Sequence, residues 1–376
     1  GDAPLETAPC PPLRQLRRSD SMLFFVLPLL PALLVSTSRL PCQPCAYRCS
    51  TPFMRVHEAG EEEEMKLDAE EAIAKAMAAR DPARLAQVRV AQEERVAALK
   101  AELDAAGDDH PVAKVLAKKG STKLGMKFRK AIKKPKGTLA LIGEGVFLDS
   151  PTLGGYDLND ATYLSEQFRT AGCAAVCAGP TLGEDALAKT VKEQQVAKGE
   201  YPGPLPVLAK GDVIDAVQLA ALAADGATAV LLDMVLTGEE GTKELAQEAE
   251  GLGLEAIPRV GNEAELKAAL AWGVQTVCVG DCSFEQAVEL KAAIPKEVVS
   301  ICDIWVRDVR GTWKVRDLGY NGLLLSKALF DVCIRDRVPP DAVIKAMMSK
   351  GSVEFGLGMQ KGRLEGAKEV LGSMAM

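Results

Sequence analysis

From about residue 138 onward, the chain alternates between amphipathic stretches and short runs of continuously apolar residues. A glycine stands at several of these junctions, as in Gly172-Cys-Ala-Ala-Val-Cys and Gly226-Ala-Thr-Ala-Val-Leu-Leu. Glycine tolerates the positive φ at which many helices end. An unbroken apolar run predicts a strand buried on both faces, as in a parallel sheet with crossover helices. The repetition favours an α/β fold of the closed (β/α)8 TIM barrel type over an open sheet.

The apolar runs predict eight strands, at 138–143, 174–178, 205–210, 228–232, 254–259, 275–279, 297–302 and 321–326. Two of the helices that follow them begin with a capping-box pattern, Asn262 with Glu265 and Ser283 with Gln286. The stretch 303–320 is a poor helix candidate, because it contains two tryptophans and four arginine or lysine residues. The seventh repeat is therefore the weakest match to the pattern.

A helical extension is expected ahead of the barrel. Asp81-Pro82 predicts a helix start, since aspartate is a good cap and proline suits the first helical position. The apolar residues of this helix fall on one face and are expected to pack against the barrel. They are Leu85, Val88, Val96, Leu99 and Leu103. We therefore assign 58–137 to an acidic lead-in, N-terminal helices and a basic linker, 138–350 to the barrel, and 351–376 to a C-terminal tail.

Residues 1–57 have the composition of a targeting leader. Three arginines precede an apolar run at 22–35 that is short and interrupted by proline, which suits a signal-peptide core better than a membrane span. From there no acidic residue occurs until Glu58, and serine, threonine and arginine are frequent, as in a transit peptide. The two parts together resemble the bipartite leader of proteins sent to a complex plastid (chloroplast). A plastid location is expected, and secretion is the alternative.

The charge distribution limits the classes of partner. A formal net charge of −7 argues against a general nucleic-acid binder. The exception is the stretch from Pro111 to Gly137, which carries ten basic residues and no acidic one. One interpretation is a solvated basic helix and linker. The alternative is an anion-attracting flap near the barrel mouth.

Cysteine and histidine usage narrows the chemistry. Four of the ten cysteines lie in the leader, where the 42/45/49 cluster is a minor metal-site alternative, and the other six fall in the barrel. Those six are expected to be reduced core residues, with a thiol site at Cys282 and Cys302 as the lesser alternative. The only histidines, His57 and His110, precede the barrel, so histidine catalysis and histidine-bound metal are excluded inside it. Metal-free lysine and carboxylate chemistry, without a cofactor, is expected.

Polar residues at the predicted strand ends mark the candidate site, because barrels of this kind place their sites at the carboxyl ends of the strands. They are Glu144, Lys210, Asp233, Arg259, Asp281, Asp303 and Lys327. Lys210 ends an apolar strand and can hold an anion, donate a proton or form a Schiff base. Glu144 is either its catalytic partner or an ion pair that only closes the barrel top. Gly154-Gly155 and Ser326-Lys327 are candidate phosphate contacts.

From Phe128 to about Phe330 the chain resembles the indole-3-glycerol-phosphate synthase family. The resemblance rests on segments that occur in matching order and spacing: 128–132 with 139–144, Ser150-Pro-Thr, Leu205-Pro-Val-Leu-Ala-Lys210, 226–232, and Leu252-Gly-Leu-Glu followed by 262–266. It implies a TIM barrel and a lyase of tryptophan biosynthesis. The family's reaction is the ring-closing decarboxylation of 1-(2-carboxyphenylamino)-1-deoxyribulose 5-phosphate.

The resemblance transfers the family's site only in part. It implies catalytic roles for Glu144 and for Lys210 as general acid, and a phosphate-side role for Ser150. The first-strand lysine that binds the substrate carboxylate falls on Val146 or Phe147 in this chain. The fifth-strand glutamate, the second acid/base group, aligns with Arg259.

Further positions depart on the later strands. The sixth-strand asparagine becomes Gly280 with Asp281 beside it, and the seventh-strand Glu-Ser pair becomes Asp303-Ile304. The glycine after that pair becomes Trp305, which is expected to crowd the phosphate position. On the eighth strand Ser326 and Lys327 remain able to hold an anion.

Three hypotheses follow. The first is a diverged synthase in which Glu144 and Lys210 act and Arg259 or Lys327 binds anions. The second is a non-catalytic family member that binds a phosphorylated ligand or a protein partner in the plastid. The third is another lyase or isomerase whose phosphorylated substrate fits Arg259 and Asp303 together. A loss of several positioned groups disfavours ordinary turnover, since one acid/base group alone is worth about 10²- to 10⁴-fold.

Overall fold

The structure is a computed structural model that describes residues 74, 77–134, 137–304, 306 and 308–349. The expected leader, most of the acidic lead-in, the tail at 351–376 and Trp305 lie outside these residues. The helices from 77 onward and the barrel, apart from positions 305, 307 and 350, lie within them.

The barrel is closed and wholly parallel, with each strand beside its sequence neighbours and the eighth strand beside the first. Ile142 of the first strand is level with Ala175 on one side and Leu324 on the other, which completes the ring. This confirms the predicted (β/α)8 TIM barrel. The strands are β1 Ala140–Glu144, β2 Ala175–Ala178, β3 Val207–Lys210, β4 Ala229–Asp233, β5 Glu255–Val260, β6 Thr276–Gly280, β7 Val299–Asp303 and β8 Gly322–Leu325.

Helices surround the barrel and precede it. They are α1 Pro82–Ala106, α2 Pro111–Leu116, α3 Lys127–Ile132, α4 Ala161–Ala171, α5 Ala186–Val196, α6 Ala216–Ala224, α7 Met234–Gly251, α8 Glu263–Ala271, α9 Phe284–Ala293, α10 Val309–Asp317, α11 Lys327–Asp336 and α12 Pro340–Met348. The capping box of Ser283 with Gln286 forms at α9. At α8 only half of the predicted capping box forms. The Asn262 side chain accepts a hydrogen bond from the Glu265 N–H, but the Glu265 carboxylate accepts from the Gly261 N–H and not from that of Asn262.

The helix α10 occupies the stretch that the sequence pattern marked as a poor helix, so that expectation was wrong. Asp308 caps it by accepting a hydrogen bond from the Gly311 N–H at 2.8 Å. Val309, Thr312 and Val315 are buried at a spacing of three residues, which forms one buried stripe along the helix. The basic residues between them obscured this stripe in the sequence.

The N-terminal extension packs against the barrel as expected. Asp81 caps α1, with its side chain accepting from the Ala83 N–H. Val96 is buried against Val213 and Val217, and Leu99 and Leu103 pack beside it. Within the part of the chain that the structure describes, no helix has the length and hydropathy needed to cross a bilayer.

The basic stretch lies at the amino end of the barrel, opposite the strand ends where a site is expected. Phe128 and Ile132 of α3 are fully buried inside the barrel floor. The Phe128 and Arg129 N–H groups donate to the carboxylate of Glu255, the first residue of β5, at 2.7 and 2.9 Å. An anion-attracting flap at the barrel mouth is therefore wrong for this stretch, and the basic-linker interpretation fits its position.

Candidate functional site

Six charged residues meet at the carboxyl ends of the strands, and we call them the mouth network. Each comes from a different strand or from the residue after it: Glu144, Lys210, Asp233, Arg259, Asp281 and Asp303. The parallel order of the strands places their carboxyl ends at one rim, which is why residues far apart in sequence converge here. Six of the seven residues that the sequence analysis placed at the strand ends therefore lie together, and Lys327 does not join them.

Lys210 lies between two carboxylates. Its Nζ is 3.0 Å from Glu144 Oε2 and 3.5 Å from Asp303 Oδ2. The Glu144 side chain is only 4% exposed and that of Asp303 is 8% exposed, so both ion pairs are shielded from water. The lysine thus has two charge partners within the protein itself.

Arg259 is held even more closely. Its Nη1 is 2.8 Å from Asp281 Oδ2 and its Nη2 is 3.0 Å from Asp303 Oδ2, while Asp233 Oδ2 lies 3.8 Å from Nη1. Asp303 Oδ2 therefore contacts both cations, Lys210 and Arg259. This shared oxygen makes Asp303 the centre of the network.

Gly280 provides the space that Arg259 occupies. A Cβ at Gly280 would lie 2.6 Å from Arg259 Nε and 3.2 Å from the backbone oxygen of Asp303. The next residue, Asp281, has a φ of 51°, a left-handed conformation that is uncommon for a residue other than glycine. Gly280 and Asp281 together thus accommodate the guanidinium and supply one of its partners.

The protonation behaviour of the network follows from burial and from these pairs. Burial lowers the pKa of Lys210, but the carboxylates of Asp303 and Glu144 outweigh it, and the net shift is well above the ordinary value. Burial raises the pKa of Glu144, with Lys210 opposing this shift. Burial likewise raises the pKa of Asp281 against the opposing effect of Arg259. The lysine is therefore held as a cation across the physiological range.

Arg80 is a residue at this rim that sequence reasoning missed. It precedes α1 and donates to both carboxylate oxygens of Glu265, at 2.7 and 3.0 Å, and to the backbone oxygen of Asp281 at 3.3 Å. Its guanidinium lies directly against Gly261. Arg80 thus ties the N-terminal extension to the loops after β5 and β6. No local signal marks a contact across 185 residues of sequence.

The predicted phosphate-side residues do not join the mouth network within the described structure. Ser150 and Lys327 are exposed, and Ser326 is half-buried at the start of α11 without a side-chain capping bond. Gly154 and Gly155 form the turn of a short hairpin, Thr152–Leu153 with Tyr156–Asp157, which the sequence analysis did not predict. Trp305, expected to crowd this side, lies outside the described residues.

The thiols and carboxylates of the described chain do not assemble a metal site: no group of three or more histidine, cysteine or acidic side chains is placed to hold an ion. The six barrel cysteines are free and buried. Burial raises the pKa values of Cys282 and Cys333 to about 12, so these thiols are protonated at neutral pH. They behave as core residues.

Comparison with known proteins identifies a family. Residues 92–333 match the family model described as indole-3-glycerol phosphate synthase. The chain is similar to proteins of that name from Ruminiclostridium cellulolyticum (27% identity over 168 residues, 42% of this chain and 62% of that protein) and Chloroherpeton thalassium (27% over 132 residues, 33% and 51%). A third, from Roseiflexus castenholzii, is 33% identical over 143 residues, 35% of this chain and 52% of that protein. The chain thus matches between about half and three fifths of the length of these relatives.

Proposed function

Since the chain belongs to the indole-3-glycerol phosphate synthase family, we propose that it is a non-catalytic member, in which the ring-closing decarboxylation is lost and the barrel acts by binding a partner. The observation that carries this proposal is the pairing of Arg259 with Asp281 and Asp303 at 2.8 and 3.0 Å. The cation that replaces the family's glutamate is used inside the protein. It is not presented to a ligand.

The charge balance of the mouth opposes the family's substrate. That substrate carries a carboxylate and a phosphate, and a phosphate monoester alone contributes about −1.5 to −2 charges at neutral pH. The mouth network contains two cations and four carboxylates joined by ion pairs. An anion entering here would have to displace Asp281 or Asp303 from Arg259, and would meet like charges from the displaced group.

The proton-transfer chemistry is impaired as well. A general acid works best when its pKa lies near the operating pH, whereas the pKa of Lys210 is raised well above its ordinary value. Arg259 remains protonated at all physiological pH values and cannot accept a proton in place of the family's glutamate. One acid and one base are therefore weakened or lost, each worth about 10²- to 10⁴-fold in rate.

One observation favours the second candidate function, a slow diverged synthase. The Lys210–Glu144 contact, 3.0 Å between Nζ and Oε2, keeps together the two catalytic residues that the family resemblance transfers to this chain. In that case Glu144 would orient Lys210, and the activity would belong to tryptophan biosynthesis. A plastid location, proposed from the leader composition, is compatible with either function.

The test adds 1-(2-carboxyphenylamino)-1-deoxyribulose 5-phosphate to the whole chain and monitors turnover through the fluorescence of the indole product. We expect no rate above that of Lys210→Ala. The second variant is Arg259→Glu, which restores the family's residue. Circular dichroism confirms that each variant is folded.

The outcomes separate the two candidates. Turnover that disappears in Lys210→Ala would overturn the proposal and establish a diverged synthase. Activity restored by Arg259→Glu alone would show that one substitution silences an otherwise competent site. We expect no rescue, because a glutamate there would face Asp281, Asp303 and Asp233 and would still lack the carboxylate-binding lysine.

A further inference from the structure

We infer that the amino end of the barrel is a docking surface for an acidic segment of a protein partner. The surface, which we call the basic floor, is formed by the exposed side chains of Lys118, Lys123, Lys127 and Lys133, with Lys130 beside them. All five belong to the stretch that runs beneath the barrel from the end of α2 to the C-terminal end of α3.

The path of the chain places these lysines on one end of the molecule. The Gly120 N–H donates to the backbone oxygen of Gly251, at the end of α7, so the stretch begins below β5. Glu255 then fixes the start of α3 beneath the barrel. Ile132, the last residue of α3, is buried in the same cluster as Ala174 and Ala175 at the start of β2, so the stretch ends on the far side of the floor. The basic residues therefore extend across the whole floor.

Most of this charge is not neutralised by the protein. Lys119 pairs with Glu248, and Lys114 lies 3.5 Å from Asp109. Among the residues that the structure describes, Lys118, Lys123, Lys127 and Lys133 pair with no carboxylate. The Glu255 carboxylate is buried and occupied by two backbone N–H groups, so it does not offset the lysines outside. The basic floor thus keeps a concentrated positive charge on a chain whose net charge is −7.

The observations favour a protein segment over a nucleic acid or a membrane. The stretch 111–137 contains nine lysines and one arginine, and its one aromatic residue, Phe128, is fully buried. Arginine forks and exposed aromatic rings are what base stacking requires, and exposed apolar side chains are what membrane insertion requires. A long polyanion would also extend beyond the basic floor onto the rest of this protein, whose net charge is negative and would repel it. A short acidic segment matches the patch in both charge and extent.

This inference concerns the end of the barrel opposite the mouth network, so it does not depend on whether the mouth is catalytic. Its test measures binding and does not involve turnover. The probe is a fluorescein-labelled synthetic peptide of about fourteen residues, mostly glutamate with occasional glycine, which stands in for an acidic segment of a partner and is added to the whole chain. Fluorescence anisotropy is recorded at about 20 and 150 mM salt, because surface charge interactions weaken as salt rises.

The variant reverses four lysines of the basic floor, Lys118→Glu, Lys123→Glu, Lys127→Glu and Lys133→Glu. The matched control makes the same change at four exposed lysines of the outer helices, namely Lys189, Lys192, Lys267 and Lys345. Both variants shift the net charge equally, so a difference between them reports position. Circular dichroism checks that both are folded.

We expect the peptide to bind the native chain, to lose at least tenfold in affinity in the floor variant, and to change less than threefold in the control. Equal weakening in both variants would overturn the inference, because it would show a general charge effect. Absence of peptide binding at low salt would also overturn it. So would tighter binding of a 20-base-pair DNA duplex or of phosphatidylserine vesicles, with the same dependence on the floor lysines.

Discussion

The mouth network can be tested through its central carboxylate. Replacing Asp303 with asparagine keeps the side-chain shape but removes the charge shared by Arg259 and Lys210, which lie 3.0 and 3.5 Å from the same oxygen. At an effective dielectric constant of about 20, each contact has a gross attraction of about 5 kcal/mol. Removal also relieves the cost of burying Asp303, which is several kcal/mol, and its repulsion of Asp281 and Glu144.

The net effect is smaller than the gross attraction because each cation keeps another partner. Loss of one member of a buried pair costs about 3–5 kcal/mol when nothing replaces it. Arg259 retains Asp281 and Lys210 retains Glu144, so we expect the free energy of unfolding to fall by about 2–4 kcal/mol. For a domain of this size that lowers the melting temperature by about 4–16 °C.

The assay is urea unfolding of the whole chain, monitored by circular dichroism, with thermal melts in parallel. The control is Asp341→Asn, which removes an exposed helical ion pair with Lys345 at 2.9 Å and is expected to cost less than about 1 kcal/mol. If Asp303→Asn unfolds within about 0.5 kcal/mol of the unaltered chain, the reasoning that the network is buried and cohesive is refuted.

Two further predictions concern packing and thiol protonation. Gly280→Ala should lower the free energy of unfolding by about 1–3 kcal/mol, because the new Cβ would lie 2.6 Å from Arg259 Nε. The control Gly125→Ala, whose Cβ would have its nearest atom at 3.5 Å, should change it little. In an Arg259→Ala background most of the Gly280→Ala loss should vanish, and an additive result in urea unfolding would contradict this coupling. Burial raises the pKa of Cys282 and Cys333 to about 12, so few of these thiols are ionised at pH 8. Because iodoacetamide reacts with the thiolate, it should alkylate them about 10³-fold more slowly in the folded chain than in urea. The rate in the folded chain should rise as the pH increases. Mass-spectrometric mapping measures both rates, and equal rates would show that these thiols are accessible and ionisable.

The rim of the barrel was predictable because the repeat pattern fixes which residues end the strands. Glu144, Lys210, Arg259 and Asp303 could be placed at one end from strand order alone. The ion pairs among them could not be predicted, because several pairings of two cations with four carboxylates are compatible with the same strand order. The structure selects one in which Asp303 contacts both cations.

Other features were missed because their partners are remote in sequence or hidden by composition. Arg80 and Glu265 are separated by 185 residues, and Phe128 and Glu255 by 127. The helix α10 was missed because basic residues interrupt a stripe of only three buried positions. The end of the barrel at which the basic stretch lies could not be predicted either, because its charge is compatible with both ends.

The attachment of α3 to Glu255 has a consequence for the order in which this chain assembles. The floor helix is synthesised before β1, yet the carboxylate that accepts its first N–H groups emerges from the ribosome only 127 residues later. Contacts between such remote segments form slowly, because a long loop must close before they stabilise the fold. Phe128 and Ile132 therefore stay only partly covered until more than half of the barrel has been made, because their buried cluster takes residues from β1 and β2 but also from β5 to β8. This protein is expected to complete its floor late, and a nascent chain stopped before β5 would be a natural substrate for chaperones.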